Sequence, residues 1–189
     1  MPKKFLGQHF LSDPRILGRI ADALPAASGS PVLEIGPGRG ALTGVLLQRG
    51  FAVTAIERDR DLVPALRARF PGLSLVEGDA LRMDWLAAVA GAAPWYVIGN
   101  IPYNITSALI DKALEAEPLP ASVVYLLQKE VALRLDAKPG TREYGALTVG
   151  VQSAARVERL FPVPAGAFRP VPKVDSAVIR LTPLPPAER

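Results

Sequence analysis

The sequence predicts an α/β fold in which helices cover both faces of a mainly parallel β-sheet. Three observations support this prediction. Short apolar runs alternate with helical patterns through the first two thirds of the chain. The glycine-rich turn GPGRG, at residues 36–40, directly follows an early apolar run. Single acidic or polar side chains follow the next runs, at the carboxyl edge where ligands bind in open α/β sheets.

The alternating elements are predicted from hydrophobic periodicity and from residues that begin or end helices. Ser12 or Asp13 can cap a first helix, because their side chains accept hydrogen bonds from its first N–H groups, and Pro14 suits its first position. Gly50 ends the helix that follows the glycine-rich turn. The predicted strands cover residues 32–35, 51–56, 73–76, 95–98 and 123–127. The predicted helices after them cover residues 41–48, 61–69, 85–89, 106–115 and 129–135.

The last third of the chain breaks this alternation. Residues 147–155 favour a helix, and residues 157–163 and 177–182 favour strands. A long proline-rich loop, PVPAGAFRPVPKVDS, lies between these two strands and contains no helical pattern. Because parallel neighbours need a crossover connection, the two strands are predicted to form an antiparallel pair at the sheet edge.

Composition and charge restrict the class of protein. The 189 residues include 22 basic and 18 acidic side chains, one histidine and no cysteine. With 49% hydrophobic and 21% charged residues the chain can form a core, which argues against disorder. The lack of cysteine excludes a disulfide scaffold and a thiolate zinc site. Residues 31–127 are slightly acidic and both flanks are basic, which suits a cation in the middle and a polyanion at the flanks.

No stretch of the sequence is typical of a membrane span or a secretory signal. The longest uncharged run, residues 86–110, is interrupted by glycine, proline and asparagine. The N-terminus has lysines but no apolar segment before Asp13. The sequence therefore predicts a cytoplasmic protein that does not enter a membrane.

Three strand ends carry the groups that a nucleoside cofactor needs. Glu34 precedes Gly36 and Gly38 in a G-x-G-x-G turn, a spacing typical of S-adenosylmethionine rather than of a dinucleotide pyrophosphate. Glu57 follows the second strand of the alternating part and can accept both ribose hydroxyls. Asp79 and Ala80 follow the third, where a carboxylate and backbone amides can meet adenine. Alone, each motif is also compatible with an ordinary turn.

The tetrapeptide NIPY after the fourth strand indicates the reaction. An aromatic amine is a poor nucleophile because its lone pair is delocalised into the ring. The side-chain oxygen of Asn100 and the carbonyl of Ile101 or Pro102 can accept its two N–H groups, which aims the lone pair at a methyl donor. Pro102 fixes the turn, and Tyr103 can stack on an extruded base. These residues predict N-methylation of a nucleobase without a metal.

The sequence resembles the bacterial small-subunit rRNA adenine N6-dimethyltransferases. The likeness runs through KKFLGQHFLSD, VLEIGPGRGALT, ERD, GDA, NIPYNIT, LLQKEVALRL, PGTREYGALTV and FRPVPKVDSAVIRL, which together cover nearly the whole chain. It implies a class I methyltransferase fold, with a seven-stranded sheet whose last hairpin is reversed. It also implies dimethylation of two adjacent adenosines near the 3′ end of small-subunit rRNA, with S-adenosylmethionine as methyl donor.

The resemblance adds site residues at the two ends of the chain. It implies that Gln8, His9 and Leu11 close over the cofactor, and the family more often has asparagine where His9 stands. A titratable histidine there would add pH sensitivity. It also implies that Phe168 lies near the target base, where it either stacks on the base or only packs against its own loop.

The resemblance also implies how the chain is organised and what it meets. Residues 1–30 are expected to form the cofactor-closing segment and a helix, and residues 31–183 the core. Residues 184–189 are expected to start a linker toward the C-terminal helical domain that is usual in the family and that this sequence is expected to lack. The expected partner is the 30S particle, approached by a monomer. The basic residues expected to meet RNA phosphates are Lys3, Lys4, Lys129, Arg134, Arg142, Arg169 and Lys173.

Three other functions fit parts of the pattern. A macrolide-resistance methyltransferase of large-subunit rRNA shares the Asn-x-Pro-Tyr chemistry. An RNA chaperone or assembly factor would bind the cofactor without efficient turnover. A nicotinamide dehydrogenase is disfavoured by the glycine spacing and by NIPY.

Overall fold

The computed structural model describes residues 9–188. Its long sheet consists of β2 (Pro31–Ile35), β3 (Ala52–Glu57), β4 (Ser74–Glu77), β5 (Tyr96–Asn100), β6 (Ser122–Gln128), β7 (Ala155–Val163) and β9 (Ser176–Pro183). A short ladder pairs β1 (Phe10–Leu11) with β8 (Phe168–Arg169). The helices are α1 (Pro14–Asp22), α2 (Ala41–Gln48), α3 (Val63–Arg69), α4 (Trp85–Ala88), α5 (Thr106–Leu114), α6 (Lys129–Leu135) and α7 (Ala146–Gln152).

The long sheet has the strand order β4-β3-β2-β5-β6-β9-β7. Strands β2 to β6 are parallel to one another, whereas β9 is antiparallel to both β6 and β7. The predicted antiparallel pair at the sheet edge is therefore confirmed. Because the first five strands are parallel, the turns after β2, β3, β4 and β5 all leave the sheet at its carboxyl edge.

Apolar side chains from both faces of the sheet form the core. Along β5, Val97 belongs to one hydrophobic cluster and Ile98 to the other, since successive side chains of a strand point to opposite faces. One cluster contains residues of α5 and α6, and the other contains residues of α1 and α2. The sheet is thus covered on both sides, as the near-continuous apolar strands predicted.

Helix α1 begins with a side-chain cap. The Asp13 carboxylate accepts hydrogen bonds from the N–H groups of Arg15 and Ile16, at 2.8 and 3.3 Å. Of the two predicted capping residues, Asp13 thus supplies the cap, and Pro14 occupies the first turn as expected. This cap fixes the direction in which the chain enters α1 from β1.

The ladder between β1 and β8 was not predicted. Phe10 pairs with Arg169, and Leu11 pairs with Phe168. Phe168 and Arg169 lie inside the stretch that was predicted to be a proline-rich loop. Two-residue strands carry too little periodicity to be recognised. The ladder ties the N-terminal segment to the loop between β7 and β9.

None of the helices in residues 9–188 is long and apolar enough to cross a membrane.

Candidate active site

A cavity opens at the carboxyl ends of β2, β3, β4 and β5, beneath the N-terminal segment. The predicted site residues that line it are His9, Leu11, Glu34, Gly36, Gly38, Glu57, Asp79, Ala80, Asn100, Pro102 and Tyr103. The structure therefore brings together the predicted cofactor residues and the NIPY turn. Gln8, Lys3 and Lys4 lie outside the described residues.

The glycine-rich turn lines the cavity just after β2. Gly36 and Gly38 have φ of 66° and 59°, in the left-handed region that favours glycine. A Cβ at Gly38 would lie 3.0 Å from Cε1 of Phe10, whereas a Cβ at Gly36 would meet open space. Gly38 is therefore required for two reasons, its backbone conformation and the packing of the N-terminal segment on the turn.

Glu34 lies at the base of the cavity and is almost completely buried. The Thr43 hydroxyl donates a 2.6 Å hydrogen bond to its Oε2. Burial raises the pKa of Glu34 to about 7, and the nearby Glu57 carboxylate also raises it, while the Thr43 bond acts in the opposite direction. A buried acid with this pKa can carry a negative charge at neutral pH when a cation lies beside it.

Glu57 ends β3 and is held by backbone N–H groups. Gly38 N donates to Oε2 at 2.9 Å and Asp59 N donates to Oε1 at 2.7 Å. Burial raises the pKa of Glu57, although these hydrogen bonds favour its charged form. Each carboxylate oxygen keeps further acceptor capacity, which suits the two hydroxyls of a ribose.

Asp79 follows β4 and forms a tight turn. Its Oδ1 accepts a 3.0 Å hydrogen bond from Leu81 N, and its Oδ2 lies 3.6 Å from the Arg58 guanidinium. The Ala80 carbonyl accepts a 2.8 Å bond from the indole N–H of Trp85, which is buried. The loop that was predicted to recognise adenine is thus fixed from below by Trp85.

Asn100 ends β5 on the other side of the cavity. Its Nδ2 donates a 2.9 Å hydrogen bond to the carbonyl oxygen of His9, 91 residues away in the chain. That bond fixes the orientation of the amide and leaves Oδ1 to act as an acceptor in the cavity. The Pro102 carbonyl accepts bonds from Ile105 N and from the Thr106 hydroxyl, so it stabilises the turn that follows.

Phe168, the residue predicted to stack on the target base, is buried in the core. Its side chain is 1% exposed and packs in the core cluster with residues of α1, α2 and β9, outside the cavity lining. Its pairing with Leu11 turns the ring toward the core. The position of Phe168 fits the packing alternative, and its stacking on the target base stays a prediction.

Several cavity residues were not predicted from the sequence. Phe10, Leu17, Ile20, Arg39 and Arg58 also line the cavity. The Arg39 guanidinium lies 4.6 Å from the centroid of the Phe10 ring, a distance typical of a cation–π contact. Two of these residues could have been found from the sequence, since Arg39 lies inside the glycine-rich turn and Arg58 directly follows Glu57.

The donor set fits a cationic nucleoside. The carboxylates of Glu34, Glu57 and Asp79 line the cavity, backbone N–H groups donate hydrogen bonds to the latter two, and residues such as Ile56 supply apolar walls. Within residues 9–188, no three His, Asp or Glu side chains cluster in a way that could hold a metal ion. The chemistry of the donors therefore matches S-adenosylmethionine, whose charge these carboxylates can offset.

Comparisons with known proteins agree with this geometry. A sequence profile of the family described as ribosomal RNA adenine dimethylase matches residues 2–188. The ribosomal RNA small subunit methyltransferase A of Aromatoleum aromaticum is 46% identical over 189 residues, which cover 99% of this chain and 70% of that protein.

Two solved structures share the fold with substantial sequence identity. A dimethyladenosine transferase from Plasmodium falciparum superposes with a TM-score of 0.82 at 35% identity, over 93% of this chain and 64% of that one. The 23S rRNA methyltransferase ErmE gives a TM-score of 0.80 at 35% identity, over 93% of this chain and 70% of that one.

Proposed function

Since this chain belongs to the ribosomal RNA adenine dimethylase family, we propose that it dimethylates N6 of two adjacent adenosines near the 3′ end of small-subunit rRNA. The chain is a methyltransferase with the class I fold and the reversed last hairpin, and its cofactor is S-adenosylmethionine. Its proposed substrate is the 30S particle, which it would meet in the cytoplasm as a monomer. The placement of the cofactor residues and NIPY in one cavity carries this proposal.

The cofactor half of the cavity lies along β2, β3 and β4. Gly36 and Gly38 let the backbone approach the amino-acid part of the cofactor. Glu57 accepts hydrogen bonds from the ribose hydroxyls, and Asp79 accepts a hydrogen bond from the adenine amine. S-adenosylmethionine, when bound, supplies an electrophilic methyl group. The carboxylates of Glu34 and Glu57 offset its positive charge at a site with little water.

Asn100 prepares the nucleophile. Its Nδ2 is engaged by the His9 carbonyl, so Oδ1 is available to accept one N–H of the adenine amine. The Pro102 carbonyl already accepts two hydrogen bonds, which makes the Ile101 carbonyl the better acceptor for the second N–H. Two acceptors placed in this way favour a pyramidal nitrogen whose lone pair points away from the ring.

Exposed basic residues are suited to contact the phosphate backbone of the RNA. Lys129 begins α6 directly after β6, and Arg169 and Lys173 lie in the loop between β7 and β9. Together with Arg134 and Arg142 they are exposed, so their charges can meet phosphates, and the Arg169 guanidinium also donates hydrogen bonds to the carbonyls of Gly166 and Phe168. Binding through such contacts weakens steeply with salt.

The experiment is methyl transfer from radiolabelled S-adenosylmethionine to undermethylated 30S particles. We expect label on two adjacent adenosines near the 3′ end of the small-subunit rRNA. Protein-free large-subunit rRNA serves as the matched substrate, and preferential labelling of that RNA would overturn the proposed substrate. Cofactor binding without transfer to either RNA would instead indicate an assembly factor.

The large-subunit alternative has one observation in its favour. The solved 23S rRNA methyltransferase ErmE shares 35% identity and the fold with this chain. The higher identity of 46% to a small-subunit methyltransferase over 99% of this chain supports the small-subunit substrate.

A further inference from the structure

His9 forms three contacts at the target half of the cavity, which is the part next to Asn100 and Tyr103 that is proposed to bind the target adenine. Its ring forms an offset stack with Tyr103, with centroids 5.8 Å apart and planes inclined by 22°. Its Nδ1 lies 2.9 Å from the carbonyl oxygen of Pro170, and its own carbonyl oxygen accepts the bond from Asn100 Nδ2. Two of these three contacts belong to the imidazole, so they depend on the residue type at this position.

We propose that His9 is a positioning residue for the target adenine, acting through Tyr103. The inference rests on the proposed function, because it assigns His9 to the target-base side of the same cavity. It differs from the role implied by the sequence resemblance, in which the N-terminal segment closes over the cofactor.

The stack restricts Tyr103 before any base arrives. An aromatic ring has two faces, and the imidazole lies against one of them. The hydroxyl end of Tyr103 lies 3.5 Å from Ser176 Oγ, which restrains the ring at its far end. The opposite face is then presented to a base that enters the cavity. A side chain ordered in advance loses less conformational entropy when the base binds.

The imidazole is itself held on one edge. A carbonyl oxygen only accepts hydrogen bonds, so Nδ1 of His9 carries the hydrogen and donates it to Pro170. The backbone pairs of β1 and β8, including Phe10 with Arg169, place the same two segments side by side. The hydrogen bond from the His9 ring to Pro170 therefore adds a side-chain contact to that ladder. A His9 ring that is held in this way restricts the motion of the Tyr103 ring stacked on it.

Two substitutions separate the ring from the hydrogen bond. His9→Asn keeps a donor for Pro170 but has no ring to stack on Tyr103, whereas His9→Phe keeps a ring but has no donor. Because an aromatic pair contributes modestly, we expect His9→Asn to lower kcat/KM for 30S particles about three- to tenfold and His9→Phe less than about twofold. The Kd for S-adenosylmethionine is measured by calorimetry for both variants, and it should rise less than kcat/KM falls in His9→Asn.

A double-mutant cycle with Tyr103→Ala tests the proposed route. If His9 acts through Tyr103, His9→Asn causes no further loss of kcat/KM in the Tyr103→Ala background. Additive losses, or a Kd for S-adenosylmethionine that rises as much as kcat/KM falls, overturn the inference. Melting temperatures of all variants check that each is folded.

The outcomes also separate this inference from the proposed function. A wild-type chain that transfers no methyl group to 30S particles counts against the proposed function. A wild-type chain that does transfer it, with His9→Asn unchanged in kcat/KM, rejects the positioning role alone.

Discussion

The two halves of the cavity are held together in different ways. The cofactor half is stabilised by contacts between residues close in sequence, such as Asp59 N to Glu57, Leu81 N to Asp79 and the Thr43 hydroxyl to Glu34. The target half depends on distant partners, since Asn100 and Pro170 contact His9 across 91 and 161 residues. The cofactor half is thus a property of successive strand–turn–helix units, whereas the target half needs both flanks of the chain in place.

The largest expected effect comes from a substitution of Asn100, the residue of the target half that is proposed to bind the target amine. Asn100→Ala removes the acceptor for the target amine and the bond to the His9 carbonyl. We expect methyl transfer to fall by about 10²–10³-fold, because a preorganised polar group at the reacting atom is lost. The cofactor half should persist, so the calorimetric Kd for S-adenosylmethionine should change only slightly. Equal losses of transfer and of cofactor binding would contradict this division of roles.

The matching substitution in the cofactor half replaces Glu57, which is proposed to bind the ribose of the cofactor. Glu57→Gln leaves one acceptor oxygen where two N–H groups and a ribose compete, so the Kd for S-adenosylmethionine should rise by about 10- to 100-fold. At saturating cofactor, the turnover number should remain near the wild-type value. Glu77→Gln is the matched control, since Glu77 pairs with Glu57 across β3 and β4 but its side chain is partly exposed. A similar rise in Kd for both variants would refute a specific role for Glu57.

The buried charge of the cofactor half predicts a dependence on pH. Burial raises the pKa of Glu34 from 4.5 to about 7, so the folded chain holds a proton that the unfolded chain releases between these values. The stability of the free chain should therefore decrease as pH rises from about 4.5 and level off above about 7. Added S-adenosylmethionine should offset this decrease, because the cofactor cation favours the Glu34 carboxylate.

Melting temperatures between pH 5 and 8 measure this effect. In Glu34→Gln, the decrease with pH should be smaller, and the stabilisation by S-adenosylmethionine should lose its pH dependence. S-adenosylhomocysteine, which lacks the sulfonium charge, provides the ligand control. A wild-type chain whose stability rises between pH 5 and 7 would show that Glu34 does not dominate.

The smallest expected effect concerns the exposed basic residues that are proposed to meet RNA phosphates. Lys173→Ala removes one exposed charge in the loop between β7 and β9, and should weaken binding to 30S particles about two- to fivefold at low salt. The difference should disappear at high salt. Arg67→Ala on α3, which packs beside β4 at the far end of the sheet, is the control. A loss that is independent of salt would point to a structural role for Lys173.

The same division explains what the sequence could predict. The position of Glu57 and Asp79 at one cavity could be predicted, because each lies at the end of a strand whose apolar run is visible in the sequence and parallel strands end at one edge of the sheet. The contacts of His9 with Asn100 and Pro170 arise from the meeting of distant segments, which no local pattern encodes. The packing of Phe168 in the core could not be predicted for the same reason, since its segment pairs with Leu11, which is distant in the chain.

The position of β9 has a consequence for biosynthesis. β9 is made after β7 but lies between β6 and β7, and it is the strand to which β7 pairs in the long sheet. While the chain emerges from the ribosome, the apolar edge of β6 stays unpaired and β7 has no partner until residues 176–183 have been synthesised. Unpaired strand edges promote aggregation, so this interval is the vulnerable period of the nascent chain. The last of the described strands to be made therefore completes the interior of the sheet, and it also supplies Ser176, whose Oγ lies 3.5 Å from the hydroxyl of Tyr103.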